Sequence, residues 1–270
     1  MINLLLAAAL AVICAKDCPL AGRTKLEEPR VDYRINQASA TTSPWIISNG
    51  AKILHAPAGK YFYNVSGRSV PVAVAESYVF RADAIVETKP EDLAEAEKMK
   101  AFLAALPTSN LPPVSDFAVV DDGSAQMAEI MNLLVRRNLL FRPSKQADPS
   151  RLTVQIGAKD FPKAAAANPS DFAVLVRHKL TDEKRSLRVF GSENVIARFE
   201  SDGKKGRLHV LSYGQRPVEG VRIRVRGKFQ NADISAFGIT SAKVAELSQD
   251  GDFTEFSIME IRPYVAVDLH

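Results

Sequence analysis

The final stretch of the chain, residues 194–270, restricts the fold more than any other part of the sequence. It consists of short segments in which apolar and polar residues alternate, separated by turn residues and without a helical period. Such alternation is typical of antiparallel strands, and many short strands in succession build a β-sandwich or barrel. The segments are residues 194–199, 207–213, 221–226, 253–258 and 264–269. The sequence therefore predicts a small all-β sandwich domain over residues 192–270, a module that usually binds or supports another molecule.

The middle of the chain has a different pattern. Apolar residues recur at steps of three and four in residues 91–106, 125–138 and 170–180, which predicts three helices. Short apolar segments at residues 117–120, 152–157 and 187–191 lie between or after them and read as strands. Alternation of helices and strands implies crossover connections and a mostly parallel sheet. We therefore expect an α/β domain over residues 61–191.

The N-terminal residues resemble an export signal. Residues 4–13 form an unbroken apolar run, which is too short to cross a bilayer, and Cys14 and Ala15 follow it. This predicts a signal peptide over residues 1–15, cleavage after Ala15 and a secreted or periplasmic protein. Lipid attachment through Cys14 is one alternative, and a buried strand behind a misassigned start is another. No other stretch is long enough to span a membrane.

Residues 16–60 are expected to form a leader or linker. They are rich in polar residues, and the dipeptide Asn49-Gly50 lies between two apolar runs. This dipeptide is the strongest short signal for a hairpin turn. The sequence therefore predicts at most a hairpin in this region.

Composition excludes some classes of function. Hydrophobic residues make up 46% of the chain and charged residues 24%, which permits a packed core. The 35 Lys and Arg residues are offset by 31 Asp and Glu residues, so we expect no nucleic-acid partner. Cleavage after Ala15 would leave Cys18 unpaired, and no two of the four histidines have metal-ligand spacing. We therefore expect no disulfide, no metal and no cofactor.

The turn that contains Asp121 and Asp122 is the one weak candidate for catalysis. It lies at the carboxyl end of a predicted strand and just before a helix, where open α/β sheets place their ligands. Two carboxylates there would hold a divalent cation or orient a sugar hydroxyl. The alternative is a tight turn in which an acidic side chain caps the helix and Gly123 supplies a permissive backbone. Neither a Gly-x-Ser-x-Gly segment nor a cysteine occurs at this turn.

Three aromatic residues are candidates for carbohydrate binding. Trp45, Tyr61 and Tyr63 gather in the first third of the chain, and exposed aromatic rings stack on the faces of sugars. Packing in the core is the alternative use of the same side chains.

A stripe of arginines is a second candidate binding surface. Arg222, Arg224 and Arg226 alternate with aliphatic residues, so that they share one face of a strand. They would bind an anionic polymer, or else pair with acidic residues of neighbouring strands.

The order of these parts resembles a family of enzymes. The resemblance is carried by residues 127–140 (MAEIMNLLVRRNLL), 207–214 (RLHVLSYG) and 254–258 (TEFSI). They are similar to the C-terminal part of β-galactosidase-type glycoside hydrolases, in which a catalytic barrel precedes an α/β domain and a β-sandwich. The resemblance implies a flavodoxin-like or glutamine-amidotransferase-like α/β domain used for oligomer contacts. The catalytic carboxylates of that family lie in the barrel, so none is carried over to this chain.

The sequence thus predicts an exported, non-catalytic accessory protein that binds carbohydrate or associates with a glycoside hydrolase. One alternative is a glycoside hydrolase that uses the acidic residues of the Asp121-Asp122 turn. Another is a structural protein that forms oligomers and binds no ligand.

Overall fold

The computed structural model describes residues 10–36 and 41–270, and of these the side chains of residues 34–36 and 41–43 are not described. The strands are β1 (Val12–Cys14), β2 (Thr24–Lys25), β3 (Arg30–Asn36), β4 (Thr41–Ile47), β5 (Lys60–Asn64), β6 (Asp83–Glu87), β7 (Phe117–Val120), β8 (Phe141–Ser144), β9 (Thr153–Val154), β10 (Leu187–Phe190), β11 (Val195–Ser201), β12 (Gly206–Ser212), β13 (Val218–Arg226), β14 (Ala232–Ala236), β15 (Val244–Asp250), β16 (Phe253–Ile261) and β17 (Tyr264–Leu269). The α-helices are α1 (Gly50–His55), α2 (Ser69–Val79), α3 (Leu93–Ala105), α4 (Ala125–Arg136) and α5 (Pro169–Leu180), and single 3₁₀ turns occupy Pro90–Asp92 and Lys163–Ala167.

The α/β part contains two parallel sheets. The first has the strand order β1-β6-β5-β2 and the second has the order β8-β7-β9. Helices α2 and α3 pack against the first sheet, whereas α4 lies against α1 and α5. An α/β part followed by a β-rich part was predicted, and this arrangement is observed. The predicted helices at residues 91–106, 125–138 and 170–180 correspond to α3, α4 and α5.

The α/β part begins earlier in the chain than predicted. Strand β1 pairs with β6, so that Val12 lies opposite Ile85, and β2 pairs with β5. Residues before 61 therefore belong to the sheet, although they were expected to form a leader. The pairing of β1 shows that the end of the apolar run is a strand, but Val12 is exposed, and residues 4–9 of the run lie outside the described residues. None of the helices in the described ranges is long and apolar enough to cross a membrane.

The two cysteines form a disulfide, which corrects the expectation that Cys18 would be unpaired. The chain turns sharply after β1 and brings the Cα atoms of Cys14 and Cys18 to 5.8 Å from each other. This separation lies within the range that a disulfide can bridge. The prediction assumed that Cys14 would be removed with a signal peptide.

Asn49-Gly50 does not form the predicted hairpin turn. Gly50 is the first residue of α1, and a Cβ atom at this position would lie 2.3 Å from Cζ of Phe80. Glycine is therefore required for close packing against an aromatic ring, and not for a turn. The hairpin of this region is formed instead by β3 and β4, and its connection at residues 37–40 lies outside the described residues.

Helix α2 is a second difference from the expectation. The alternation of valine with small residues at positions 70–74 is typical of a strand, but these residues lie in α2. Burial explains the difference, because Val70–Ser77 are all buried and the helix is apolar on almost every side. The β-branched residues lower helix propensity by only tenths of a kcal/mol each, and tertiary burial overrides that preference.

The β-rich part is a sandwich of two four-stranded antiparallel sheets. One has the order β10-β13-β16-β15 and the other has the order β11-β12-β17-β14. Val221, Ile223 and Val225 of β13 face inward and are fully buried, as their alternation predicted. Strand β10 was expected to close the α/β domain at residue 191, but it pairs with β13, so the sandwich begins before residue 192.

One sheet of the sandwich is covered on both faces. Every residue of β12 is buried, and Leu211, Tyr213 and Tyr264 share a hydrophobic cluster with the helices of the α/β part. The opposite face of this sheet packs against the other sheet of the sandwich. Asn138, just beyond α4, links the α/β part to β11 of the sandwich, because it donates to the carbonyl of Val195 and accepts from the amide of Ala197. The α/β part and the sandwich therefore share a continuous core.

Candidate functional site

The turn after β7 brings Asp121 next to a histidine that the sequence did not connect with it. Oδ2 of Asp121 lies 2.5 Å from Nδ1 of His55, the last residue of α1, and Oδ1 accepts a hydrogen bond from the amide of Gly123. Asp121 is buried, whereas about a third of the His55 side chain is exposed. A buried carboxylate that orients a partly exposed imidazole is an arrangement used in general-base catalysis.

Asp122 has a different environment from Asp121. It is exposed, and its carboxylate accepts a hydrogen bond of 2.9 Å from the amide of Ser124. The hydrogen bonds from Ser124 lower the pKa of Asp122 below its ordinary value. Ser124 in turn caps α4 by accepting from the amide of Met127. In residues 10–36 and 41–270, no three His, Cys, Asp or Glu side chains lie together as a metal site.

Tyr61 and Tyr63 are not part of an exposed platform, which corrects that expectation. Both are buried, and burial raises the pKa of each phenol. The hydroxyl of Tyr61 donates to the carbonyl of Ala56 over 2.6 Å, and that of Tyr63 donates to Glu76 over 2.9 Å. Tyr61 and Tyr63 are two residues apart in β5, so their side chains lie on the same face of the sheet. That face is buried in the core.

Glu76 is the centre of a buried polar cluster. Oε1 accepts hydrogen bonds from Ser48, from the amide of Asn49 and from Tyr213, and Oε2 accepts from the Asn49 amide group and from Tyr63. A buried carboxylate is tolerated when its lone pairs are satisfied in this way. These donors come from the α/β part and from the sandwich. The cluster therefore joins the two parts and encloses its carboxylate.

The arginine stripe of β13 is engaged with other residues of the chain. Arg222 donates to Glu255 on the neighbouring strand β16, with Nε at 3.1 Å. Arg224 lies 3.5 Å from both Asp250 and Glu255. Arg226 donates to the carbonyl of Glu183, which precedes β10. This is the cross-strand pairing that the sequence offered as the alternative to an anionic polymer site.

Trp45 lies apart from the two tyrosines and contributes to an arginine-lined cavity. The cavity has a volume of about 440 Å³ and lies where β4, α4 and α5 meet the start of the sandwich. We call it the arginine pocket. Its lining residues are Pro44, Trp45, Ile46, Leu133, Arg136, Arg137, Asn138, Arg177, Arg185, Arg188, Val189, Phe190, Ser192 and Glu193. Five of these are arginines and one is acidic.

Arg137, Arg177, Arg185 and Arg188 of the pocket have few acidic partners among the described residues. Asp182 serves two of them, with 3.4 Å to Arg185 and 3.2 Å to Arg188. No described carboxylate lies within ion-pair distance of Arg137 or Arg177. Burial and the positive charge of Arg177 lower the pKa of Arg137. The pocket thus concentrates positive charge.

The aromatic residues of the pocket lie next to its arginines. The guanidinium carbon of Arg136 is 3.2 Å from the centroid of the Trp45 ring, and that of Arg188 is 4.7 Å from the Phe190 ring. These are cation–π geometries. The sequence singled out Trp45 but none of the five arginines, because they are distributed over α4, α5 and the start of the sandwich. Only the packing of these elements brings them together.

Comparison with known proteins supports a relationship in fold only. No known protein family and no curated protein matches the chain in sequence. Among solved structures, α-L-fucosidase isoenzyme 2 from Paenibacillus thiaminolyticus superposes with a TM-score of 0.55 and 8% sequence identity. The match covers 82% of this chain and 62% of the fucosidase, so the chain spans less than two thirds of that enzyme's length.

A second solved structure is an α-amylase from Anoxybacillus with 9% sequence identity. The match covers 82% of this chain and 55% of the amylase, but its TM-score of 0.16 supports no inference. The similarity of this chain to the fucosidase is one of fold.

Proposed function

We propose that this chain is a non-catalytic accessory protein that binds carbohydrate and acts together with a glycoside hydrolase. The observation that carries the proposal is the shared fold with a fucosidase over most of this chain. The resemblance of the α/β part and the sandwich to the non-catalytic C-terminal domains of β-galactosidase-type enzymes agrees with it.

The hydrogen bonds and ion pairs of the acidic residues support a non-catalytic role. Glycoside hydrolysis requires two carboxyl groups about 5–10 Å apart that face a sugar in an open cleft. Glu76 is enclosed by five hydrogen bonds, and Glu255 pairs with arginines on the sandwich surface. Asp83 pairs with Arg23 at 2.8 Å. Each of these acids is thus engaged by donors of the fold itself.

A panel of oligosaccharides tests the proposal. We expect the full chain to be stabilised in thermal-shift measurements by at least one glycan, and to release no product from chromogenic glycosides. Calorimetric titration of that glycan should give a saturable signal. The absence of binding to every glycan in a panel of neutral and acidic sugars would contradict the proposal.

A hydrolase that uses Asp121 is the second candidate, and the contact between His55 and Asp121 favours it. His55 would take a proton from water or from a hydroxyl, while the buried Asp121 carboxylate holds the ring in place. If the chain hydrolyses a chromogenic substrate, the variants H55Q and D121N should each lose about 10²-fold or more in kcat/KM. H178Q is the matched control, because His178 is exposed on α5. Equal activity in H55Q and H178Q would remove this candidate.

Export is also a proposal, and the mature N terminus tests it. Cleavage after Ala15 would remove β1 and one half of the Cys14–Cys18 disulfide. Mass spectrometry of the protein from its host would identify the first residue. A mature chain that retains Val12–Cys14 would support the buried-strand alternative.

A further inference from the structure

We propose that the arginine pocket binds the anionic group, a carboxylate or a sulfate, of an acidic saccharide. This inference deepens the proposed function and rests on it, since it names the class of carbohydrate and the site. The pocket differs from each site that the sequence indicated, and Trp45 is the one residue that they share.

The balance of charge in the pocket favours an anion. Among the described residues, Arg137 and Arg177 have no carboxylate within ion-pair distance, Arg185 and Arg188 share Asp182, and Glu193 is the one acidic residue of the lining. Like charges in a partly buried cavity repel each other more strongly than in water, because the local dielectric is lower. A bound carboxylate or sulfate would neutralise this repulsion. The guanidinium group is suited to both, because its planar fork donates two parallel hydrogen bonds.

Arg185 gives a second and independent indication. Its side chain is only 8% exposed, and its Nε has no hydrogen-bond partner among the residues that the structure describes. Its pKa is lowered, first by burial and further by the charges of Arg177 and Arg188. A buried guanidinium with an unsatisfied N–H is costly, and an anion in the pocket would supply the acceptor.

The remaining walls suit the ring of a sugar. Pro44, Trp45, Val189 and Phe190 form an apolar side of the pocket, and Phe190 is 36% exposed. Sugar rings present apolar C–H faces that pack against such residues. The volume of about 440 Å³ lies within the ~300–1,000 Å³ that small-molecule sites occupy. An anionic group bound to the arginines would thus leave room for a ring beside the aromatic side chains.

Titration calorimetry of the full chain at low salt tests the inference with five probes. They are trigalacturonate, its neutral methyl ester, a sulfated galactose oligosaccharide, inorganic sulfate and inorganic phosphate. We expect trigalacturonate or the sulfated oligosaccharide to bind at least about tenfold more tightly than the ester and than either inorganic ion. The stronger of these two ligands identifies carboxylate or sulfate as the recognised group.

Three other outcomes overturn the inference in distinguishable ways. If the methyl ester binds as tightly as trigalacturonate, the anion plays no part, although carbohydrate binding stands. If sulfate or phosphate alone binds as tightly as the saccharides, the pocket is a simple ion site. If no saccharide binds, the inference and the proposed function both fail.

Single substitutions locate the binding. Arg177 is exposed on α5, so R177Q should fold, and we expect it to weaken binding of the acidic saccharide about tenfold or more. The matched control is K179Q, which removes the same charge from the same helix at a residue that pairs with Asp160 outside the pocket. An R177Q variant that binds as tightly as K179Q would refute the site. R137Q provides a second variant at the C-terminal cap of α4, and the same loss is expected.

Discussion

The hydroxyl of Tyr213 lies 2.7 Å from Oε1 of Glu76, and this hydrogen bond connects the end of strand β12 with the middle of helix α2. Both side chains are buried. Burial and the negative charge of Glu76 raise the pKa of Tyr213 well above its ordinary value, so the phenol stays protonated and continues to donate. The sandwich and the α/β part are thus held together by a polar contact within an apolar interface.

Removal of the Tyr213 hydroxyl should lower the stability of the whole chain. In Y213F, Glu76 loses one of the donors that offset its burial, and we expect the free energy of unfolding to fall by about 1–3 kcal/mol. Urea unfolding monitored by circular dichroism measures this. Y33F is the control, because Tyr33 is 65% exposed and should change stability by less than about 0.5 kcal/mol. Equal effects of the two substitutions would argue against a structural role of this hydrogen bond.

The isolated sandwich should be much less stable than the full chain. A fragment of residues 187–270 retains β10 but exposes Leu211, Tyr213 and Tyr264, which the α/β part covers. Each large apolar side chain loses about 1.5–3 kcal/mol of burial energy, so a total loss of roughly 5 kcal/mol is expected. Thermal unfolding and the binding of a hydrophobic dye measure the effect. A fragment that melts at the temperature of the full chain and binds no dye would contradict this prediction.

Glu200 should contribute to the dependence of stability on pH. Burial raises its pKa, but the hydrogen bond and charge of His209 and the ion pair with Arg81 outweigh burial, so the pKa is lowered. A lowered pKa in the folded state stabilises the protein above the unfolded value of about 4.3, and this contribution is lost as the pH falls through the folded pKa. Unfolding of E200Q should therefore depend less on pH than that of the native chain between about pH 6 and pH 3.

Equilibrium urea unfolding at several pH values measures the effect of E200Q. E91Q is the control, because Glu91 is exposed, and its stability should follow the native curve at every pH. A pH dependence of E200Q that equals the native one would mean that Glu200 has the same pKa in the folded and unfolded states.

Quenching of tryptophan fluorescence should reveal the charge of the arginine pocket without any ligand. Trp45 is the single tryptophan of the chain and lines this pocket. Iodide is attracted by the arginines, whereas acrylamide is neutral, so we expect R177Q to lower the iodide quenching constant by roughly a factor of two and to leave the acrylamide constant unchanged. K179Q should change neither constant. An unchanged iodide quenching constant in R177Q would show that the charge of Arg177 does not attract iodide to Trp45.

The sequence predicted the elements in which local pattern and environment agree. Helix α4 was predicted because its apolar residues recur at helical spacing within one element. The inward face of β13 was predicted because a period of two separates Val221, Ile223 and Val225 from the arginines. The start of α5 was predicted within one residue, and Asn168 accepts the capping hydrogen bonds.

The predictions failed where distant contacts decide the structure. Valines in α2 favour a strand locally, but this helix is surrounded by protein and its apolar side chains are buried on every side. Gly50 was interpreted as a turn residue, yet its lack of a side chain is what allows the ring of Phe80 to pack against it. The pair of His55 and Asp121 joins residues that are far apart in the chain, and no local pattern indicates it.

By itself, the sequence determined an α/β part followed by a β-rich part, because hydrophobic periodicity and helix capping depend on residues within a few positions of each other. Tertiary structure alone decided which polar side chains meet. The enclosure of Glu76, the contact of His55 with Asp121 and the grouping of five arginines each combine residues from separate elements. Electrostatic and hydrogen-bond energies depend on distances through space, and the packing of helices against sheets sets those distances.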